Sequence, residues 1–247
     1  MTNNLAHRGM SGIAPENTRL AFLNAFEFGF DGVELDVHLT KDKRLVIIHD
    51  EKINRTANGR GYIKDKTLNE LKKYNFAKRY EGVKKSEIMT LPEFLKEFGD
   101  KFKIINIELK TDVFEYEGIE EKVLTAIKRY KKTEFILSSF NFETIKRLRK
   151  LNKEVKIGFL WSKHKNFVKA GKEQIKELCD YLHPSVKLYK NIAYATKYKS
   201  MDMKFNLWTL KNRATYKRLA KKEWIYSLIT NHLFRTEEKV KKEIFHK

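Results

Sequence analysis

The sequence predicts an α/β fold: a parallel (β/α)8 TIM barrel with an antiparallel hairpin arm and a small insertion after it. Three observations carry that prediction. Short apolar β-type runs alternate with helical patterns along the whole chain, as in a parallel sheet built from βα units. One of the nine β-runs, residues 45–49, follows its predecessor too closely for a parallel crossover, so it returns antiparallel and leaves the eight that close a barrel. No glycine-rich dinucleotide fingerprint follows the first run, which weighs against an open doubly wound sheet.

Residues 3–6 form the first strand, running into His7-Arg8-Gly9. Residues 17–29 read as a helix, with Pro15 and Asn17 near its start and Gly29 as its C-terminal cap. Residues 32–39 are the second strand, and the polar link 40–43 leads into the arm, 45–49. Residues 51–90 are polar, carry Gly59, Gly61 and Gly82, lack a clear strand, and read as an insertion over the C-terminal barrel mouth. Residues 91–98 are a helix with Thr90 as N-cap and Pro92 in its first turn. Strand 103–109 is followed by helix 118–130, strand 135–139 by helix 142–151, and strand 155–161 by a helix that includes 174–179. Strands 181–184, 205–210 and 227–230 follow, with helix 214–220 before the last of them and a helical tail from Thr236. There is no linker and no internal repeat, so residues 1–247 read as a single domain.

Composition narrows the class. Hydrophobic residues make up 41% of the 247, enough for a sizeable core, and the 34% of charged residues is spread through periodic segments, which excludes wholesale disorder. No apolar run reaches the roughly 18 residues of a membrane span. The start of the chain shows no basic n-region or apolar h-region, and the single cysteine, Cys179, excludes a disulfide framework. A cytoplasmic protein is expected. Residues 1–140 hold 25 basic and 22 acidic residues, whereas residues 141–247 hold 27 and 10, so the net +20 sits almost wholly in the second half. That excess suits an anionic partner, or else solvated lysine-rich helix faces.

The polar residues at the strand ends are few and unusual: His7-Arg8, Glu34 and Asp36, His49-Asp50, Glu108 and Lys110, Ser139-Phe140, and Trp208-Thr209. Period-2 alternation turns Glu34 and Asp36 to one side of their strand and Val33, Leu35 and Val37 to the other; Glu108 and Lys110 likewise share a side. Three carboxylates facing one dry interior cannot all stay ionised. Salt bridges to nearby Lys and Arg would resolve this, and so would one hard divalent cation, Mg2+ or Ca2+. A lone histidine is more often structural, but His7 and His49 at one mouth can work as an acid/base pair near neutral pH. Arg8 and Lys110 add fixed positive charge matched to phosphate oxygens.

These blocks, together with Pro15-Glu16-Asn17-Thr18, Val46-Ile47-Ile48 and Leu207, resemble the glycerophosphodiester phosphodiesterase family in order and spacing over nearly the whole chain. The resemblance implies a (β/α)8 barrel that hydrolyses glycerophosphodiesters, such as glycerophosphocholine or glycerophosphoethanolamine, to glycerol 3-phosphate and an alcohol. It implies His7 and His49 as the acid/base pair, Glu34, Asp36 and Glu108 as ligands of the metal, Arg8 and Lys110 as phosphate-binding, and Trp208 and Phe140 as lining the glycerol side. In the mechanism usual for the family, a glycerol hydroxyl displaces the alcohol at phosphorus and water then opens the cyclic phosphate. One departure stands out: where the family shows Thr-Asp and then a proline near the last strand, this chain has Thr230-Asn231-His232-Leu233, which predicts altered loop geometry.

The partner expected is a small-molecule phosphodiester, and no nucleic-acid-binding signature is present. The basic second half would suit weak peripheral contact with an anionic membrane, and with it a lysophospholipase D-type alternative. The sequence leaves the oligomeric state open. His38 reads as structural, and Asp50, next to His49 on a presumed strand, as facing away from it and fixing the turn or the arm. Cys179 reads as a buried hydrophobe, and His164, His183, His232 and His246 have no chemical neighbours nearby in sequence.

Overall fold

Eight parallel strands close on themselves. The computed structural model describes residues 2–234 apart from 79, 81 and 84; the expected helical tail and His246 lie outside the described residues. In chain order the elements are β1 (Asn3–His7), α1 (Arg19–Glu27), β2 (Gly32–Leu39), β3 (Leu45–Ile47), α2 (Leu68–Leu71), β4 (Met89–Thr90), α3 (Leu91–Phe98), β5 (Ile104–Leu109), α4 (Ile119–Ile127), β6 (Glu134–Ser139) and α5 (Phe142–Leu151). There follow β7 (Lys156–Trp161), α6 (His164–Ala170), α7 (Lys172–Leu178), β8 (Tyr181–Pro184), α8 (Val186–Tyr189), α9 (Ile192–Lys199), β9 (Lys204–Leu210), α10 (Arg213–Leu219) and β10 (Ile225–Thr230). Strands β2, β5, β6, β7, β8, β9 and β10 pair in turn, and β1 closes the ring by pairing in parallel with both β10 and β2. The arm β3 returns antiparallel from β2, as the short link requires.

Alternation along β2 and β5 sorts the side chains. Val33, Leu35, Val37, Ile105, Ile107 and Leu109 join the large apolar layer under the helices. Leu5, Ile104, Ile136 and Ile229 pack inside the barrel as its floor. Thr90 caps α3 as expected, accepting from the Glu93 amide in a reciprocal capping box, and Pro92 sits in the first turn.

Several boundaries differ from the sequence reading. The α1 helix begins at Arg19 with Thr18 as its cap, so Asn17 stands outside the helix, at φ +57°. The ladder of β3 stops at Ile47, which frees His49 and Asp50 from strand alternation. The 51–90 segment does hold a strand: β4 adds to β3, with Val46 opposite Thr90 and Ile47 opposite Met89. That segment also has its own small core, where Ile53, Ala57, Ile63, Leu71, Phe76 and Ile88 pack on Val46 and Ile48. Helices α6, α8 and α9 were not legible in the sequence; α9 buries only Ala195 and Tyr198, so its apolar stripe is thin. No helix among the described residues is long and apolar enough to cross a membrane.

Candidate active site

The expected site residues converge at the C-terminal ends of the strands. His7 ends β1, Glu34 and Asp36 sit on β2, Glu108 is the last residue but one of β5, and Trp208 lies on β9. Carboxylate oxygens of Glu34, Asp36 and Glu108 all lie within 4.8 Å of one another, and all three residues are buried.

Each group has defined partners. The Arg8 backbone takes φ +55°, a left-handed turn eased by the following Gly9, which packs so closely on Ala21 that a Cβ would not fit. That turn aims the Arg8 amide at Glu34 Oε2, 2.9 Å away. The Arg8 guanidinium reaches Glu16 at 2.9 Å and Asp36 at 3.5 Å. Asn17, also left-handed, donates its side-chain amide to Asp36 Oδ2 at 2.9 Å. Lys110 donates to Glu108 at 2.7 Å. His7 Nε2 stands 4.0 Å from Glu34, while its Nδ1 is 2.8 Å from Asn231 Oδ1. His49 Nδ1 donates to Asp50 at 2.6 Å. Asp50 therefore faces His49, contrary to the strand-alternation reading, because the ladder has already ended.

Asp50 is held in turn by Arg55, from the segment after the arm. Arg55 Nε and Nη2 reach Asp50 at 2.7 and 2.9 Å, and its two terminal nitrogens each reach Glu16 at 2.7 Å. A chain of hydrogen bonds thus runs Arg8–Glu16–Arg55–Asp50–His49. His38 is fully buried between the Tyr116 hydroxyl and the His49 carbonyl, both 3.2 Å away, so its structural role is to brace the backbone of His49. Phe140 meets Trp208 edge to face at 5.4 Å, with the Lys110 ammonium 5.6 Å from the Phe140 ring. The Trp208 indole N–H is tied to the His183 carbonyl at 2.8 Å.

The electrostatics follow from burial and crowding. Burial, then repulsion from Asp36 and Glu108, pushes Glu34 well above the usual carboxylate range. Burial also raises Glu108, with Lys110 opposing and Asp36 adding to the rise. Burial works against ionisation of Asp36 too, but His49, Arg8, Lys110 and the Asn17 amide outweigh it and hold Asp36 below the usual range. His7 is lowered to about 4, by burial first and by Arg8 next. Burial and crowding thus favour the protonated forms of Glu34 and Glu108, while Asp36 keeps its charge. Asp36 Oδ1 and Asn17 Oδ1 are buried with no hydrogen-bond partner. An all-oxygen donor set with an unpartnered buried carboxylate oxygen fits a hard divalent cation.

Asn17, Glu16, Arg55, Asp50 and Asn231 were absent from the residues expected to build the site. Glu16 and Asn17 lie within Pro15-Glu16-Asn17-Thr18, but the left-handed backbone of Asn17 is invisible to periodicity. Arg55 and Asn231 reach the site only through the fold.

A (β/α)8 barrel hosts many chemistries, so the class is read from its mouth. Metal-competent carboxylates beside paired imidazoles and phosphate-matched cations are the equipment of a phosphoric diester hydrolase. Known proteins agree: a model of the glycerophosphoryl diester phosphodiesterase family matches residues 7–233, and the chain belongs to that family. A Mycoplasma genitalium protein of uncharacterised function is 42% identical over 93% of this chain and 95% of its own length. A glycerophosphodiester phosphodiesterase of Caldanaerobacter subterraneus is 47% identical over 64% of this chain and 65% of its own. Among solved structures, an Oleispira antarctica phosphodiesterase in complex with its product sn-glycerol-3-phosphate superposes with a TM-score of 0.80 at 26% identity, covering 99% of this chain and 97% of that one. A Thermotoga maritima glycerophosphodiester phosphodiesterase gives 0.77 at 28% identity, over 94% and 95%.

Proposed function

We propose that the chain hydrolyses glycerophosphodiesters, glycerophosphocholine or glycerophosphoethanolamine among them, to glycerol 3-phosphate and an alcohol in the cytoplasm. The observation that carries this reading is the convergence of Glu34, Asp36 and Glu108 within 4.8 Å beside His7, whose Nε2 faces Glu34. The glycerol 3-phosphate bound by the Oleispira antarctica relative supports the product assigned.

Glu34, Asp36 and Glu108 would hold one divalent cation, Mg2+ or Ca2+, which when bound neutralises charge on the phosphoryl oxygens. Arg8 and Lys110 receive the phosphate from either side of that cluster. The glycerol hydroxyl attacks phosphorus and the alcohol departs, with His7 and His49 as the proton acceptor and donor; water then opens the cyclic phosphate with the roles exchanged. Asp50 orients the His49 ring, and Asn231 that of His7. The Trp208–Phe140 pair gives the glycerol carbons an apolar wall. Residues 51–90 roof the mouth within one catalytic domain and place Arg55 behind Asp50.

The test is release of glycerol 3-phosphate from glycerophosphocholine, with EDTA and with Mg2+ or Ca2+ added back. Chelation should abolish release and one of the two ions should restore it. Undiminished release in EDTA would overturn the metal assignment, and full activity in His49→Ala would overturn the acid/base assignment.

A further inference from the structure

The excess of lysine and arginine in the second half of the chain plays no part in this chemistry, and the fold brings four of these cations to one cleft. Residues 181–234 hold 11 lysines and arginines against only Asp202 and Glu223. A cleft of about 300 Å3 opens between α9 and α10, lined by Lys190, Lys199, Arg218 and Lys222, with Trp224 at its wall and Ile192 at its rim. No carboxylate among the described residues lines it. Two larger grooves, of about 740 and 670 Å3, differ in this respect: each mixes lysines and arginines with Glu93 and other acids. All four cations of the cleft are exposed, and none is ion-paired among the described residues. Beside them Ile192 is 83% exposed, the highest value among the large exposed hydrophobic side chains.

We propose that this cleft docks the chain on an anionic phospholipid bilayer, with the four cations against the headgroups and Ile192 in the interfacial layer. Cations around a protruding aliphatic side chain are what a charged bilayer surface rewards. A nucleic acid would want an open aromatic face for base stacking. Trp224 does not offer one: Lys199 lies 4.3 Å and Lys222 5.5 Å from its ring centroid, and its indole N–H is bonded to the Tyr189 hydroxyl.

Part of the docking face lies at the end of the barrel away from the candidate active site, and Lys190 and Ile192 lie where the chain returns from β8 into α9. Lys222 and Trp224 precede β10 and Lys199 precedes β9, whereas His7 and Glu108 stand at or near the C-terminal ends of their strands.

The test is co-sedimentation of the full chain with vesicles of phosphatidylcholine alone, or of phosphatidylcholine and phosphatidylglycerol in equal amounts, at low and at high salt. Two fourfold variants of equal charge are compared: Lys190→Gln/Lys199→Gln/Arg218→Gln/Lys222→Gln, and a control on the exposed 128–132 turn, Lys128→Gln/Arg129→Gln/Lys131→Gln/Lys132→Gln. The wild type and the control should bind the anionic vesicles alike, in a salt-sensitive way. The cleft variant should bind about fivefold more weakly per cation removed, a few hundredfold in all. Ile192→Asn should weaken vesicle binding while leaving any binding to single-stranded RNA unchanged. Equal losses in both fourfold variants, no wild-type binding, or RNA binding in place of vesicle binding would each overturn the proposal. Glycerophosphocholine turnover, followed in parallel, reports on the fold and on the hydrolytic reading separately, since none of these side chains belongs to the site.

Discussion

Replacing Asn231 by leucine keeps the size of the side chain and removes the acceptor 2.8 Å from His7 Nδ1. This is the hydrogen bond that fixes which nitrogen of His7 carries the proton. With Nδ1–H directed at the amide oxygen, Nε2 presents a bare lone pair on the side of Glu34. His7 is only 16% exposed, so water replaces the lost acceptor poorly. The direct cost to stability is about 1 kcal/mol, the ordinary worth of one neutral hydrogen bond. The cost to turnover is larger. Proton transfer by a placed side chain contributes about 10²- to 10⁴-fold, and a ring free to rotate or to change tautomer forfeits much of it. The expected result for Asn231→Leu is a kcat about 10²-fold lower. KM should stay within about threefold, since Arg8 and Lys110 are untouched. Asn231→Asp restores the acceptor and should recover most of the kcat. Its added charge stabilises the His7 imidazolium, raising a pKa that burial holds near 4, so the acid limb of the rate profile should move to higher pH. Steady-state kinetics on glycerophosphocholine across pH decides the matter. If Asn231→Leu turns over like the wild type, or if Asp and Leu are equally impaired, the argument for Asn231 fails.

Other outcomes are expected from the same geometry. Arg55→Ala removes the clamp on Asp50 and should lower kcat by about ten- to a hundredfold, and Arg55→Lys should recover little, because one ammonium cannot serve Asp50 and Glu16 together; initial rates on the two variants test this. Lys110→Met leaves Glu108 buried without its cation partner and should cost about 3 kcal/mol in EDTA; added Mg2+ or Ca2+ should recover part of this, and urea unfolding with and without metal would reveal a cost that ignores metal. His7 and His38 are both lowered to about 4 by burial, so between pH 6.5 and 4 the unfolded chain binds more protons than the folded one. Their contribution is intact above pH 6.5 and is lost as pH falls, by about 3 kcal/mol per histidine at the acid end of that window; a metal-free denaturation series that stayed flat over this range would contradict their buried, neutral state.

The barrel was legible because β2 and β5 alternate cleanly. Val33, Leu35 and Val37 had to face the helices, which turned Glu34 and Asp36 inward, and the short link before Leu45 forced the arm antiparallel. The carboxylates and Lys110 could be found for that reason; His7, Arg8 and His49 were found from their places at the strand ends and from the family resemblance. What supports them could not. Arg8 and Asn17 owe their aim to left-handed backbone that no periodic pattern reports. Asp50 was turned the wrong way because the rule applied to it holds only inside a ladder that ends at Ile47. Asn231 could be seen only as a departure from a family pattern, since its partner is 224 residues away.

That separation bears on how the protein is made. His7 belongs to the first strand of the barrel to leave the ribosome, and the residue that orients it belongs to the loop after the barrel's last. At about 5–20 residues per second, the 224 residues between them take roughly 10 to 45 s to synthesise. Throughout that interval β1 lacks β10, the neighbour that closes the ring, and keeps one hydrogen-bonding edge open to other chains. A nascent chain of this design is therefore inactive until its final strand docks, and it is most exposed to aggregation in the same interval.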